Sequence, residues 1–252
     1  MINIFNFFNP IDYTVINKLK EFDRADKLEE YLDFINNIFK TLKVIDNNDP
    51  LLSLREYLNK NIQIKLCNLK IDNIDDESRL FLRKTVIDKL NRAQKLLPKG
   101  YHLAIRDAFR FENLVWDLYN LYCKNLKLVR PDLNDKEIDI EVRNKIAMPD
   151  DLVPPGHMTG GAVDVVLGDD NGDFIPTRIV GTDFINDPNH QYTFCNNLPK
   201  EMYKNRMILY NAMTKVGFSN FFREYWHYSY GDGYWAMKRK KKISIYGIPK
   251  NI

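Results

Sequence analysis

Histidine and cysteine are scarce in this chain, four and three among 252 residues. The cysteines, Cys67, Cys123 and Cys195, are odd in number and form no C-x-x-C pair. That argues against a disulfide framework and for buried free thiols. Cys195 lies near His190, but no activating His–acid pattern surrounds it, so a cysteine nucleophile is not indicated. No run of about 18 apolar residues occurs, as a membrane span would need. The start, M-I-N-I-F-N-F-F-N-P, lacks the positive n-region and continuous apolar stretch of a signal peptide. A cytoplasmic, soluble chain with no membrane partner is therefore expected. A strong charge bias is missing too: a net +3 is too small to argue for nucleic acid. The basic run Lys238 to Lys242 reads as a solvated segment. No H-E-x-x-H occurs, which excludes a thermolysin-like helix site.

Several elements can be read along the chain. Val15, Leu19 and Phe22, then Leu28, Tyr31, Ile35 and Ile38, recur at helical spacing over 12–40. Asn47 to Pro50 marks a loop, and 51–75 shows only a weak pattern. Val86, Leu90, Ala93 and Leu97 form a helical stripe stopped at Pro98-Lys99-Gly100. Tyr101, Leu103 and Ile105 alternate with His102, Ala104 and Arg106, as in a half-buried strand. A helix is expected from about Glu112 to Lys124, mostly loop over 129–156, a strand from Ala162 to Leu167, and loop over 169–199. A helix from Pro199 to Val216 should end in a left-handed cap at Gly217, before aromatic strands around 221–236. The irregular alternation favours an α+β fold, a small antiparallel sheet with flanking helices, over a parallel βαβ sheet. Residues 1–75 are expected as a helical N-terminal extension packed on a core formed by 76–252.

Two separate stretches carry chemistry. P-G-H-M-T-G-G-A-V-D, at 155–164, offers His157 and Asp164; E-Y-W-H, at 224–227, offers Glu224 and His227. Two imidazoles and a carboxylate make a zinc ligand set with one open position, and a free Glu remains to handle protons. The geometry sets conditions. A strand rises on the order of 3.3 Å per residue, so His157 and Asp164 share a metal only if the chain folds back at Gly160-Gly161. Asp164 among Val163, Val165 and Val166 is costly unless paired or bound. Glu224 and His227, three apart, would face opposite sides of an ideal strand. They serve one site only across a bulge, or if Glu224 sits in a turn before the strand. Arg110, just past the strand 101–107, either pairs with Asp107 or Glu112 or points its forked donor at a developing oxyanion. His102 reads as structural, and His190 as a loop residue.

Together these residues resemble the D-alanyl-D-alanine dipeptidase family. Its S-x-H-x-x-G-x-A-x-D is matched by Pro155-Gly156-His157 through Asp164, and its E-x-W-H by Glu224-Tyr225-Trp226-His227. Its L-P-x-G-Y and D-x-Y-R-P are matched by Leu97 to Tyr101 and by Asp107-Ala108-Phe109-Arg110. Asn205-Arg206 through Gly217-Phe218 resembles a further segment, and the likeness runs over about 79–235. It implies an α+β zinc peptidase fold shared with D,D-carboxypeptidases of this clan and the Hedgehog domain, with the zinc site on the sheet. One Zn2+ per chain would be held by His157, Asp164 and His227. Glu224 would be general base and acid for the zinc-bound water, and Arg110 would stabilise the oxyanion. The substrate would be D-Ala-D-Ala or a related dipeptide. A peptidoglycan D,D- or L,D-carboxypeptidase and a non-catalytic zinc-binding module are the alternatives. Three positions depart from the pattern: Pro155 replaces a serine, Phe111 a proline, and Ile185 a carboxylate expected at the substrate ammonium. Asp183 or Asp187 is the candidate to replace that carboxylate. The sequence does not specify an oligomeric state.

Overall fold

A computed structural model describes residues 37–69, 71, 75–179, 188–195 and 197–250. The helix expected over 12–40 lies almost entirely outside them. From Lys43 onward the chain builds strands rather than a helical extension. β1 (Lys43–Val44) is followed by β2 (Leu51–Ser53), the one-turn helix α1 (Leu54–Tyr57) and β3 (Gln63–Ile64). Next come β4 (Phe81–Arg83), α2 (Lys84–Gln94), β5 (His102–Asp107), α3 (Glu112–Val129) and α4 (Asp135–Arg143). The site-bearing region follows as α5 (Gly156–Thr159), β6 (Ala162–Gly168), α6 (Lys200–Lys215), β7 (Ser219–Asn220), β8 (His227–Ser229), α7 (Gly233–Lys238) and β9 (Ile243–Ser244). No described helix is long and apolar enough to cross a membrane.

The fold is α+β. Its main sheet has five strands in the order β3-β5-β6-β8-β7. All neighbours run antiparallel except β3 and β5, which are parallel, so the sheet is mixed at one edge. β1 lies parallel to β9 and β2 antiparallel to β4. The buried face is built as the sequence pattern requires. Leu103 and Ile105 of β5 and Val163, Val165 and Leu167 of β6 point into one core, which is closed by Val86, Leu90 and Ala93 of α2 and Leu209 and Met213 of α6. α2 ends three residues before Leu97 and turns through Gly100, whose φ of +81° suits a residue without Cβ. Gly217 caps α6 with φ +102°.

The stretch 129–156 is mostly loop, as expected, with one helix set within it, the nine-residue α4. Asn134 caps that helix through its side chain while Glu137 reaches back to the Asn134 amide, a reciprocal capping box. Ile138 and Val142 then bury against Leu114, Val115 and Leu118 of α3. One expectation needs correction: the aromatic stretch 221–236 is not continuous strand. Its first four residues form a turn, with the Glu224 amide donating to Phe221 O at 2.9 Å, and its end is helix α7.

Candidate metal centre and active site

Three adjacent strands place three side chains in one row. Asp107 of β5 lies opposite Asp164 of β6, and Asp164 lies opposite His227 of β8. Directly opposed residues present their side chains on the same face. The ladder is irregular between Ile105 and Asp107, a register shift that re-aims the end of β5.

His157 reaches this row from α5. The helix lasts one turn and ends at Gly160, whose φ of +70° and ψ of 13° are left-handed. That residue turns the chain back into β6, the reversal the sequence demanded. The imidazole is fixed at its far nitrogen, since Nδ1 lies 2.6 Å from Ala108 O. A carbonyl only accepts, so Nδ1 carries the proton and Nε2 offers its lone pair. Nε2 lies 3.4 Å from Asp164 Oδ1, and His227 Nδ1 lies 3.0 Å from the same oxygen. Glu224 sits in the turn before β8, the second of the two arrangements open to it. Its Oε2 is 3.8 Å from His227 Nδ1, and its side chain keeps 15% of its surface exposed.

These donors fit a zinc ion. One ligand atom from each of His157, Asp164 and His227 lies within 4.8 Å of the others. Ligands at about 2.0–2.1 Å around a tetrahedral centre stand roughly 3.4 Å apart, close to the 3.0 and 3.4 Å separations here. Two imidazole nitrogens and one carboxylate oxygen are the donor types zinc takes when a fourth position stays open.

Arg110 joins the site through Asp107. Its Nε donates to Asp107 Oδ2 at 2.9 Å, its Nη2 lies 2.9 Å from the same oxygen, and Nη2 is 3.8 Å from Asp164 Oδ2. The other oxygen of Asp107 accepts from Arg79 Nη2 at 2.9 Å, and both of those side chains are buried. Sequence reading assigned no site role to Asp107 or Arg79. Asp107 was visible as a possible partner of Arg110, whereas Arg79 left no signal beyond its charge.

The charges set the protonation states. Burial pushes the Asp164 carboxyl up, but the charges and hydrogen bonds of His157 and His227 outweigh it and hold the group well below the carboxylate range. Burial likewise opposes ionisation of Asp107, and Arg110, His157 and Arg79 keep it ionised. Burial lowers the His227 pKa, yet its bond to Asp164 raises it overall. Glu224 goes the other way. Burial raises its pKa to about 7, against the pull of His227 and Arg110.

The other candidates fall outside the cluster. His102 pairs with Asp170 at 2.7 Å, and the backbone carbonyl of His190 accepts from Arg206. Asp183 and Asp187 lie outside the described residues.

Comparison with known proteins agrees with this geometry. A family model described as D-ala-D-ala dipeptidase, of the M15 peptidases, matches residues 65–244. A D-alanyl-D-alanine dipeptidase of Synechocystis sp. is 34% identical over 110 residues. That alignment takes in 38% of this chain and 44% of the relative, less than two thirds of either. With the family model matched over most of its length, the chain belongs to the M15 peptidase family of D-Ala-D-Ala dipeptidases.

Proposed function

We propose that this chain is a zinc-dependent peptidase that hydrolyses D-Ala-D-Ala or a related dipeptide. The observation that carries the reading is the convergence of His157 Nε2, Asp164 and His227 Nδ1 beside an unshared Glu224 carboxylate. Zinc held by these three side chains would supply Lewis acidity toward the scissile carbonyl and toward water. Glu224 would accept the proton of the attacking water and return it to the leaving amine. A carboxyl with a pKa near neutrality is suited to do both. Arg110 would donate to the oxyanion from a guanidinium fixed in place by Asp107. A fixed donor costs little reorganisation as charge develops, which is the source of its effect.

Merely holding a metal requires neither Glu224 nor Arg110, so their position beside the donor set favours catalysis over a passive zinc module. The family's description and the Synechocystis relative's name support the dipeptide as substrate. In this reading Asp183 or Asp187 holds the substrate ammonium, and the chain acts in the cytoplasm. The test is a screen of zinc-loaded protein over L,L-, L,D- and D,D-dipeptides alongside a muramyl pentapeptide. Release of D-alanine from D-Ala-D-Ala supports the reading. Cleavage of the longer substrate alone would make the enzyme a carboxypeptidase.

A further inference from the structure

His157 has a visible device that fixes its tautomer, the Ala108 carbonyl at Nδ1. His227 faces the donor cluster with Nδ1, so its Nε2 must carry the proton if Nδ1 is to offer a lone pair. Nε2 points to a hydroxyl. Ser229 Oγ lies 3.4 Å away and the residue is fully buried. His227 and Ser229 are two apart on β8, so their side chains leave the same face of the strand.

A hydroxyl is a neutral partner that can accept or donate, and alone it does not choose a tautomer. The choice is made by what lies beyond it. Asp232 is 1% exposed and caps α7, with Oδ1 accepting from the Trp235 amide at 2.8 Å. Its Oδ2 is buried and has no hydrogen-bond partner among the described residues. That oxygen abuts the residue before His157, since a Cβ on Gly156 would stand 2.4 Å from it. Burial pushes the Asp232 carboxyl up, and the Trp235 amide, the Ser229 hydroxyl, His227 and His157 act against that push. An unmatched buried carboxylate oxygen is costly unless a nearby proton turns toward it.

We propose that Ser229 and Asp232 are positioning residues for His227: the Ser229 hydroxyl accepts from Nε2–H and turns its own proton to Asp232 Oδ2. With zinc held by His157, Asp164 and His227, the relay would keep the His227 imidazole turned so that its Nδ1 lone pair is offered to the metal. It rests on the reading of His227 as a metal ligand, and it gives the second histidine what Ala108 gives the first. Partners behind metal-bound histidines typically account for about 10–100-fold in metal affinity.

The test uses Ser229→Ala, which only removes an atom, and Asp232→Asn, which keeps a side chain able to cap α7. Zinc affinity of each metal-free protein is measured by competition with a chromophoric chelator, and solvent exchange of the His227 ring N–H by 15N NMR of the zinc-loaded proteins. The expected result is a loss of about tenfold or more in affinity in both variants. The zinc-loaded wild type should hold its Nε2–H against exchange longer than either variant. Affinities within twofold of wild type would overturn the relay while leaving the metal reading intact. A wild-type protein that bound no zinc would overturn both.

Discussion

Asp107 holds Arg110 by its Oδ2 and Arg79 by its Oδ1, each at 2.9 Å, so one buried carboxylate links the core to the mouth of the site. The Arg110 guanidinium is thereby held beside Asp164 of the neighbouring strand, with Nη2 3.8 Å from Asp164 Oδ2. Removing Arg110 and removing Arg79 should therefore have different signatures. Arg110→Ala should lower kcat by about 10²–10³-fold, the usual loss for an oxyanion donor, with little change in zinc content. Arg79→Ala leaves Asp107 half-paired in the interior and should cost about 3–5 kcal/mol of stability. Steady-state kinetics and urea denaturation of the two variants separate these effects.

Glu224→Gln should keep zinc and lose turnover by about 10²–10⁴-fold, because an amide cannot carry the proton. Elemental analysis of the variant beside an activity assay checks both halves. Wild-type activity in that variant would remove Glu224 from the mechanism.

The same residue shapes the pH dependence of metal-free stability. Its folded pKa of about 7 stands above the ordinary 4.5, so the native state holds the proton more tightly than the unfolded chain. Stability from this group is full below pH 4.5 and falls as pH rises from there to about 7. Asp164 contributes with the opposite sign. Its folded pKa is depressed, so its contribution is present above about pH 4 and lost as pH falls below that. Urea titrations of metal-free protein from pH 4 to 8 should show the decline in the wild type and a flatter profile in Glu224→Gln.

Gly160→Ala should damage the metal centre from outside it. The residue has φ +70°, and a Cβ there would meet Leu51 Cδ1 at 2.5 Å. A strained backbone position of this kind costs about 1–3 kcal/mol. The strain falls on the turn that sets His157 against Asp164. Zinc affinity should fall along with the midpoint of thermal unfolding.

Asn134→Ala supplies the contrast, a change confined to the capping box of α4. About 1 kcal/mol of stability should be lost, with kcat/KM unchanged. A large kinetic effect would mean that α3 and α4 support the site more closely than their separate core indicates.

The sequence was most readable where chemistry and backbone constraint coincide. Gly160 had to turn the chain for His157 and Asp164 to meet, and Glu224 had to leave the strand for its carboxylate to reach His227; both occur. The α4 helix was hidden because Asp, Asn and Pro dominate its surroundings, although Asn134 and Glu137 form a legible cap. Pairing of Gln63–Ile64 beside β5 was not legible, since two residues carry no periodicity and parallel pairing is set by tertiary contact. The Arg79–Asp107 pair spans 28 positions, and opposite charges that far apart ordinarily read as solvent-facing.

The central claim is that His157, Asp164 and His227 hold one zinc ion on which hydrolysis of a D,D-dipeptide depends. The most direct measurement is release of D-alanine from D-Ala-D-Ala by wild-type and His157→Ala protein. Each is assayed after chelation and again after zinc is restored, with zinc per chain determined in the same samples. The account predicts one zinc and turnover in restored wild type, and neither in chelated wild type or in His157→Ala. Full turnover by the chelated protein, or by His157→Ala without zinc, would contradict it.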